Sequence, residues 1–245
     1  MLTITRQQRR IFADASRAAL AGRLGARFAI HFPVQARFSG AAALRSAAAA
    51  AIARSEALGC ATERDAAFYF LLTCLMGHAI ATDVRQPWAA AALSAQADTP
   101  IAARLEQLVG LANQQIDRVH GPDNGLLVRS LLRVRRLQPQ DFADAGSDPA
   151  RCARWLADVL PGWAKERDGD ALDAVAAASP AAAQALGLDG PADIATVALH
   201  AALLGQGFAS DPLYPWAGAA LAGSAPGRAG RLFATALRYV DAVLA

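Results

Sequence analysis

The feature that most constrains the fold of this chain is an internal repeat with an offset of 128 residues. Residues 32–93 align with residues 160–221 without a gap, and 24 of the 62 aligned pairs are identical. Twelve of these identities are alanines, which carry little weight in so alanine-rich a chain. The other twelve include a shared motif, LMGHAIATDVRQPWA in the first copy and LLGQGFASDPLYPWA in the second. Such self-similarity indicates a duplicated structural unit.

A cluster of turn-forming residues, His120-Gly-Pro-Asp-Asn-Gly125, indicates where the two copies join. We therefore expect two tandem homologous domains, helical repeat unit 1 over residues 1–122 and helical repeat unit 2 over residues 123–245. Each unit has the size of an ordinary small domain. A surface that is present in both copies can pair with itself, so the two domains are expected to pack with pseudo-twofold symmetry.

The hydrophobic pattern within each copy predicts an all-α fold. Alanine, the strongest helix former, makes up about a quarter of the chain. Phe12, Leu20 and Phe28 recur on one face of a first helix, and Gly59 lies where a left-handed C-terminal cap would end a helix over Ala41–Ala57. Only two short extended pieces are expected, near residues 2–4 and 132–134.

The repeated polar and aromatic residues are predicted to shape the backbone. The first-turn aspartates suit the positive end of a helix, the later aspartates can cap the following turn, and each Pro-Trp pair starts a helix whose indole packs under a central helix. A ligand site built from the repeated aspartates and tryptophans is the alternative. These structural positions are Asp65, Gly77, Asp83, Pro87 and Trp88 in the first copy and Asp193, Gly205, Asp211, Pro215 and Trp216 in the second.

The chain shows no pattern typical of a catalytic, metal or cofactor site. Its three cysteines and four histidines have no metal-ligand spacing, and no histidine recurs at equivalent positions of the two copies. Nucleophile elbows, P-loops and dinucleotide-binding motifs are missing as well. We therefore expect a protein that is not an enzyme and has no metal or cofactor.

Charge and hydropathy indicate the compartment and exclude some partners. The net charge is only +3 and the arginines are dispersed, so no nucleic-acid partner is expected. Residues 66–82 carry no formal charge but are short for a membrane span, so they predict a buried central helix and no membrane partner. The N-terminal sequence lacks a secretory pattern, and we expect a cytoplasmic protein.

One local basic cluster is the candidate partner surface. Four arginines alternate with aliphatic residues after the predicted join, and two aromatic residues of the second copy are candidate anchors for a partner. The basic cluster has two interpretations. In the structural one it is a segment between the domains that packs on them with its arginines in solvent, and in the functional one it forms a groove for an acidic partner. The candidate residues are Arg129, Arg133, Arg135, Arg136, Trp163 and Tyr214.

Several pieces of the chain resemble a family of uncharacterised helical accessory proteins encoded in bacterial type VI secretion gene clusters. They are Ala57-Leu-Gly-Cys-Ala-Thr-Glu-Arg-Asp65, the Asp83-to-Ala89 turn with its Pro-Trp-Ala, His31-Phe-Pro33 and, more closely, Gly205-to-Ala217. The chain departs from that family in being doubled, and Pro191 replaces the glutamate of the second cap.

The resemblance implies a protein partner. We expect an immunity protein, chaperone or adaptor that binds a secreted effector, or a component of the secretion apparatus, by steric contact. The alternative is a small-molecule-binding helical protein with a pocket between the two domains. An enzyme is the third possibility, and its sign would be a buried carboxylate or histidine with a shifted pKa in a cleft.

Overall fold

The computed structural model describes residues 5–94, 99–164, 170–223 and 227–245. Every regular element within these ranges is helical, which confirms the all-α prediction. Two short 3₁₀-helices, Pro122–Asn124 and Phe208–Ser210, accompany the α-helices. The α-helices are α1 Arg6–His31, α2 Pro33–Ser39, α3 Ala41–Ala57, α4 Glu63–Met76, α5 Pro87–Ser94, α6 Ile101–His120, α7 Gly125–Arg136, α8 Pro139–Phe142, α9 Pro149–Val159, α10 Pro161–Ala164, α11 Asp170–Ala185, α12 Pro191–Leu204, α13 Pro215–Leu221 and α14 Arg228–Leu244.

Of the two extended pieces expected from the sequence, one is helical in the structure. The extended piece predicted near residues 132–134 is wrong, because these residues lie within α7, whose buried Leu131 and Val134 follow the helical spacing. The other piece, residues 2–4, lies outside the described residues. Within the described ranges, no helix is both long and apolar enough to cross a membrane.

The helices recur at the offset found in the sequence. The bounds of α4 and α12 differ by 128 residues at both ends, and α5 and α13 both begin at the repeated proline. The caps recur too: Gly59 and Gly187 have φ values of +87° and +68°, and each follows the equivalent helix, α3 or α11. The residues after these glycines, Cys60 and Leu188, donate their N–H groups back to carbonyls five residues earlier, which completes a Schellman cap in both copies.

The buried apolar residues form two clusters that divide the chain. The first contains residues between Leu20 and Ala112, together with Leu213 from the second half. The second contains residues between Leu131 and Val240. Between them, Asp123 and Asn124 have positive φ values of 53° and 58°, so the backbone turns sharply in the turn-rich segment between the copies.

The two halves differ most at their N-terminal parts. The first half begins with the single helix α1, of which residues 5–19 are exposed and only the part from Leu20 onward packs on the core. Phe12 is therefore 65% exposed, although it shares a predicted helical face with Leu20 and Phe28. In the second half, α8 and α9 each begin at a proline, and Phe142 packs against Trp155 and Phe233.

Candidate functional site

The four arginines of the predicted partner surface all lie exposed on α7. This helix is amphipathic: Leu126, Ser130, Leu131 and Val134 face the core, so the intervening positions face outward. Two large apolar side chains share the outer face with the arginines. They are Val128 and Leu132, which are 42% and 36% exposed and lie one helical turn apart.

The outer face of α7 carries positive charge that the protein itself neutralises only in part. Arg135 forms an ion pair with Asp241 at 2.8 Å. Arg133 donates to the backbone carbonyl of Asp158. Among the described residues, no carboxylate lies within ion-pair distance of Arg129 or Arg136. Two guanidinium groups are therefore available to a carboxylate from elsewhere.

A shallow, open groove of about 390 Å³ adjoins this face between α7 and α9. Trp155 and Leu137 supply an apolar floor, and Arg133 and Arg136 lie at its α7 side. Asp158 also lines the groove, so the charge of the groove is mixed. An apolar side chain of a partner can bury area here while its acidic neighbours approach the arginines.

Trp163 and Tyr214 do not share this surface. The guanidinium carbon of Arg85, from the first half, lies 5.5 Å from the centre of the Trp163 ring. Tyr214 packs against both hydrophobic clusters and against the ring of Trp216. Both aromatic side chains are half-buried between the halves of the molecule, where they contribute to the fold and not to the arginine face.

The repeated aspartates lie at the contact between the two halves. One oxygen of each carboxylate caps its own turn: Asp83 accepts from the N–H of Arg85 at 3.0 Å, and Asp211 accepts from the N–H of Leu213 at 2.8 Å. The other oxygen reaches across, so that Asp83 accepts from the N–H of Gln206 at 3.3 Å and Asp211 from the N–H of His78 at 3.2 Å. These side chains are 0% and 1% exposed. The sequence predicted the capping oxygen but not the crossing one.

Arg85 forms the ion pair with the buried carboxylate of Asp83. Its guanidinium binds the Asp83 carboxylate at 2.8 Å and donates to the carbonyls of Met76 and Ala202, at 2.8 and 2.9 Å. These carbonyls belong to the C-terminal turns of α4 and α12, where the helix dipole favours a cation. Position 213 of the second copy, which corresponds to Arg85, is a leucine, so one arginine serves both halves.

The two repeated tryptophans have different environments. Trp88 donates its indole N–H to the Oε1 of Gln115 at 3.1 Å. The indole N–H of Trp216 is buried and has no hydrogen-bond partner among the described residues. Trp216 also lines a cavity together with His200, whose ring centre lies 6.4 Å from its own.

The sequence did not reveal the environment of His200. It is 1% exposed, and burial lowers its pKa to about 4, so the ring is neutral at physiological pH. Its Nδ1 lies 2.7 Å from the carbonyl of Thr196, while its Nε2 is buried without a partner among the described residues. The sequence interpretation of a satisfied core histidine therefore holds for one nitrogen only. A buried histidine with a shifted pKa that lines a cavity is also the feature named in the sequence analysis as the sign of an enzyme.

No metal centre emerges from the described residues, since no three histidine, cysteine, aspartate or glutamate side chains are grouped to hold an ion. The cysteines are unpaired thiols. Burial raises the pKa of Cys152 to about 11 and also raises the pKa of Cys60 and of Cys74. These thiols are protonated at neutral pH, which disfavours them as nucleophiles or metal ligands.

The chain matches no protein-family model, no curated protein and no solved structure. The resemblance to the type VI secretion accessory family therefore stays a prediction that rests on the motifs quoted above. Three structural features bear on function: the surface of α7, the buried contact between the halves and the cavity at His200.

Proposed function

We propose that this chain is a non-enzymatic, cytoplasmic binding protein whose partner is a protein segment that carries acidic and apolar side chains. An immunity protein, chaperone or adaptor for a type VI secretion effector is the specific form that the sequence resemblance suggests. The proposed binding surface is the outer face of α7 with the adjoining α7–α9 groove. The mechanism is steric: a rigid helical surface covers or holds the partner.

The observation that carries this proposal is the pairing of exposed apolar and arginine side chains on one helix face. Val128 and Leu132 remain exposed, and Arg129 and Arg136 have no carboxylate of the protein within ion-pair distance among the described residues. Exposed apolar side chains bordered by polar groups are typical of interaction surfaces. Arginine is enriched among the residues that dominate binding energy, and the groove adds the half-buried ring of Trp155.

We further propose that residues 1–122 and 123–245 are homologous domains related by a pseudo-twofold axis that passes between Gly77 and Gly205. The reciprocal hydrogen bonds of the two aspartates support this arrangement. The donors, His78 and Gln206, are 128 residues apart, as are the acceptors, Asp83 and Asp211. Two equivalent contacts in opposite directions are what a self-complementary interface produces.

The experiment that tests the binding function compares tagged variants in pull-downs from the native host, with the captured proteins identified by mass spectrometry. Val128→Ser/Leu132→Ser removes the apolar part of the face, and Arg129→Glu/Arg136→Glu reverses its charge. Both double variants are expected to lose a partner that the wild-type protein captures. Added salt should weaken capture as well, because the exposed charge pairs are screened.

Matched controls come from other exposed positions of the chain. Ile30→Ser removes an apolar side chain that is 75% exposed on α1, and Arg37→Glu/Arg45→Glu reverses two exposed charges on α2 and α3. These controls should capture the partner as the wild type does. If the α7 variants and the controls retain the same proteins, or if no protein depends on the α7 face, the proposed surface is wrong.

A further inference from the structure

The strongest unassigned feature is a partly enclosed cavity of about 170 Å³ in the second half of the molecule. Aliphatic side chains of α7, α12 and α14 form most of its wall. Four side chains with polar groups complete it: His200, Trp216, Tyr239 and, from the first half, Gln35. The cavity therefore combines an apolar wall with a few polar groups, as small-molecule sites do.

The cavity follows from differences between the two copies. In the first half, Leu72 and Leu108 are 1% and 0% exposed and fill the core. The residues 128 positions later are His200 and Ala236, and both line the cavity. Replacing a leucine with alanine at a core position removes volume that neighbouring side chains refill only in part.

A third difference leaves the indole N–H of Trp216 without an acceptor among the described residues. Gln115 accepts the N–H of Trp88 in the first half, whereas the residue 128 positions later is Val243. Val243 lines the cavity and offers no acceptor. These differences between the copies thus create one space, and two polar atoms in its wall, His200 Nε2 and Trp216 Nε1, have no hydrogen-bond partner among the described residues. Buried polar groups of this kind need a hydrogen-bond partner.

The two unpartnered atoms have complementary roles. The Nδ1 of His200 is 2.7 Å from the Thr196 carbonyl, which can only accept, so Nδ1 carries the proton and Nε2 of the neutral ring is an acceptor. The Nε1 of Trp216 can only donate. The ring centres of the two residues lie 6.4 Å apart. A hydroxyl group can donate one hydrogen bond and accept another, so it matches this pair of an acceptor and a donor.

We propose that this cavity binds a small neutral alcohol or phenol, with its hydroxyl group between His200 and Trp216 and its hydrocarbon part against the aliphatic wall. The volume suits roughly the size of one six-membered ring with a substituent, because a cavity of about 150 Å³ accommodates benzene. None of the described lining residues carries a charge, which disfavours ionised carboxylates and ammonium groups. The site adjoins the buried side of α7, whereas the proposed binding surface is the outer face of that helix, and the site does not depend on the binding function proposed above.

Phenol and toluene are the matched probes, since they have similar shapes and differ in the hydroxyl group. Isothermal titration calorimetry of the full chain is expected to show one phenol site, with toluene about tenfold or more weaker. In a ¹H–¹⁵N spectrum, phenol should shift the indole N–H signal of Trp216. The signal of Trp88 serves as the internal control, because its N–H is already bonded to Gln115.

Three variants test the geometry. Ala236→Leu restores the leucine found at position 108 and should abolish binding of both probes by filling the cavity. Trp216→Phe removes the donor but keeps an aromatic wall, so phenol affinity should fall about tenfold while toluene affinity changes little. Trp88→Phe, the equivalent change in the first half, should leave both affinities as in the wild type.

Two results would overturn the proposal. One is equal affinity for phenol and toluene in the wild type, or no binding of either at millimolar concentration, which would indicate that water alone satisfies the two nitrogens. The other is unchanged phenol affinity in a folded Ala236→Leu protein. Should that variant fail to fold by circular dichroism, Val243→Gln replaces it: an acceptor supplied to Trp216 must lower phenol affinity, or the assigned geometry is incorrect.

Discussion

Gly77 and Gly205 face each other where the C-terminal ends of α4 and α12 meet. Their φ values are +97° and +104°, and a Cβ atom on either residue would lie 3.5 Å from the Cα of the other. A Cβ on Gly77 would also lie 2.9 Å from the carbonyl oxygen of Leu204, which belongs to the backbone and cannot easily move. The repeated glycines therefore let the two central helices approach closely.

Substitution of Gly77 should destabilise the protein for two separate reasons. Gly77→Ala places a side chain at a positive φ, which costs about 1–3 kcal/mol, and forces it against Leu204 at a further cost of about 1–3 kcal/mol. Gly40→Ala is the matched control, because Gly40 has a φ of +82° but no atoms within 4 Å of its Cβ position. Urea denaturation should give a lower free energy of unfolding for Gly77→Ala than for Gly40→Ala. Equal values for the two variants would contradict the close approach of α4 and α12.

Removing Arg85 should be one of the most damaging single changes in the chain. Arg85→Ala leaves the buried carboxylate of Asp83 without its cation and removes a donor from each of two helix-end carbonyls, those of Met76 and Ala202. Loss of one member of a buried ion pair costs about 3–5 kcal/mol. Thermal and urea unfolding measure this loss. Arg64→Ala, which breaks an exposed pair with Glu106, should cost about 1 kcal/mol or less, and similar losses for both variants would show that Arg85 is not the central contact.

Exchange of Gln115 and Val243 should have opposite effects in the two halves. Gln115→Val removes the acceptor of the Trp88 indole and should lower the free energy of unfolding by about 1–3 kcal/mol. Val243→Gln gives the Trp216 indole an acceptor and should raise the free energy of unfolding by up to about 1 kcal/mol. Chemical denaturation of the two single variants provides the comparison. Effects of the same sign would mean that the two tryptophans are not equivalent in their hydrogen-bonding needs.

His200 should make the protein less stable in acid. Burial holds the pKa of its folded-state ring at about 4, whereas an exposed histidine in the unfolded chain has a pKa of about 6.5. As the pH falls from 6.5 to 4, the unfolded state binds a proton that the folded state does not, so stability is lost, on the order of 3 kcal/mol. Tyr239, which also lines the cavity, is neutral throughout this window, and burial raises its pKa further from the titration range, to about 12.

The variant His200→Leu introduces the leucine that the first half carries at position 72. It should remove the part of the pH dependence of stability that is due to His200. Free energies of unfolding measured at pH 7 and at pH 4.5 should therefore differ less in the variant than in the wild type. An unchanged difference between the two pH values would assign the acid sensitivity to other groups.

Much of the fold could be predicted because it depends on local chemistry. The repeat offset predicted matching helices, and α4 and α12 match it at both ends. Gly59 was predicted to cap α3 from its position alone, and its φ of +87° agrees. Both features depend on residues within a few positions of one another, where periodicity and backbone preference are informative.

The features that join distant residues could not be predicted. The hydrogen bonds of Asp83 and Asp211 across the molecule depend on how the two halves pack together. In the sequence, an aspartate that only caps its own turn cannot be distinguished from one whose second oxygen also accepts a hydrogen bond from the other half. The His200 cavity depends on three positions at which the two copies carry different residues. The repeat is recognised from the positions at which they agree, so these differences carry no weight in it. A signal was nevertheless present, since a histidine replaces a core leucine at an otherwise apolar helix position.

Arg85 has a consequence for truncation of the chain. Its guanidinium holds the ends of α4 and α12 together, and the residue 128 positions later, Leu213, joins the core of the first half. A fragment that ends before α12 would expose the Arg85–Asp83 pair to solvent and lack Leu213 in that core. Neither half is therefore expected to be stable as a separate fragment.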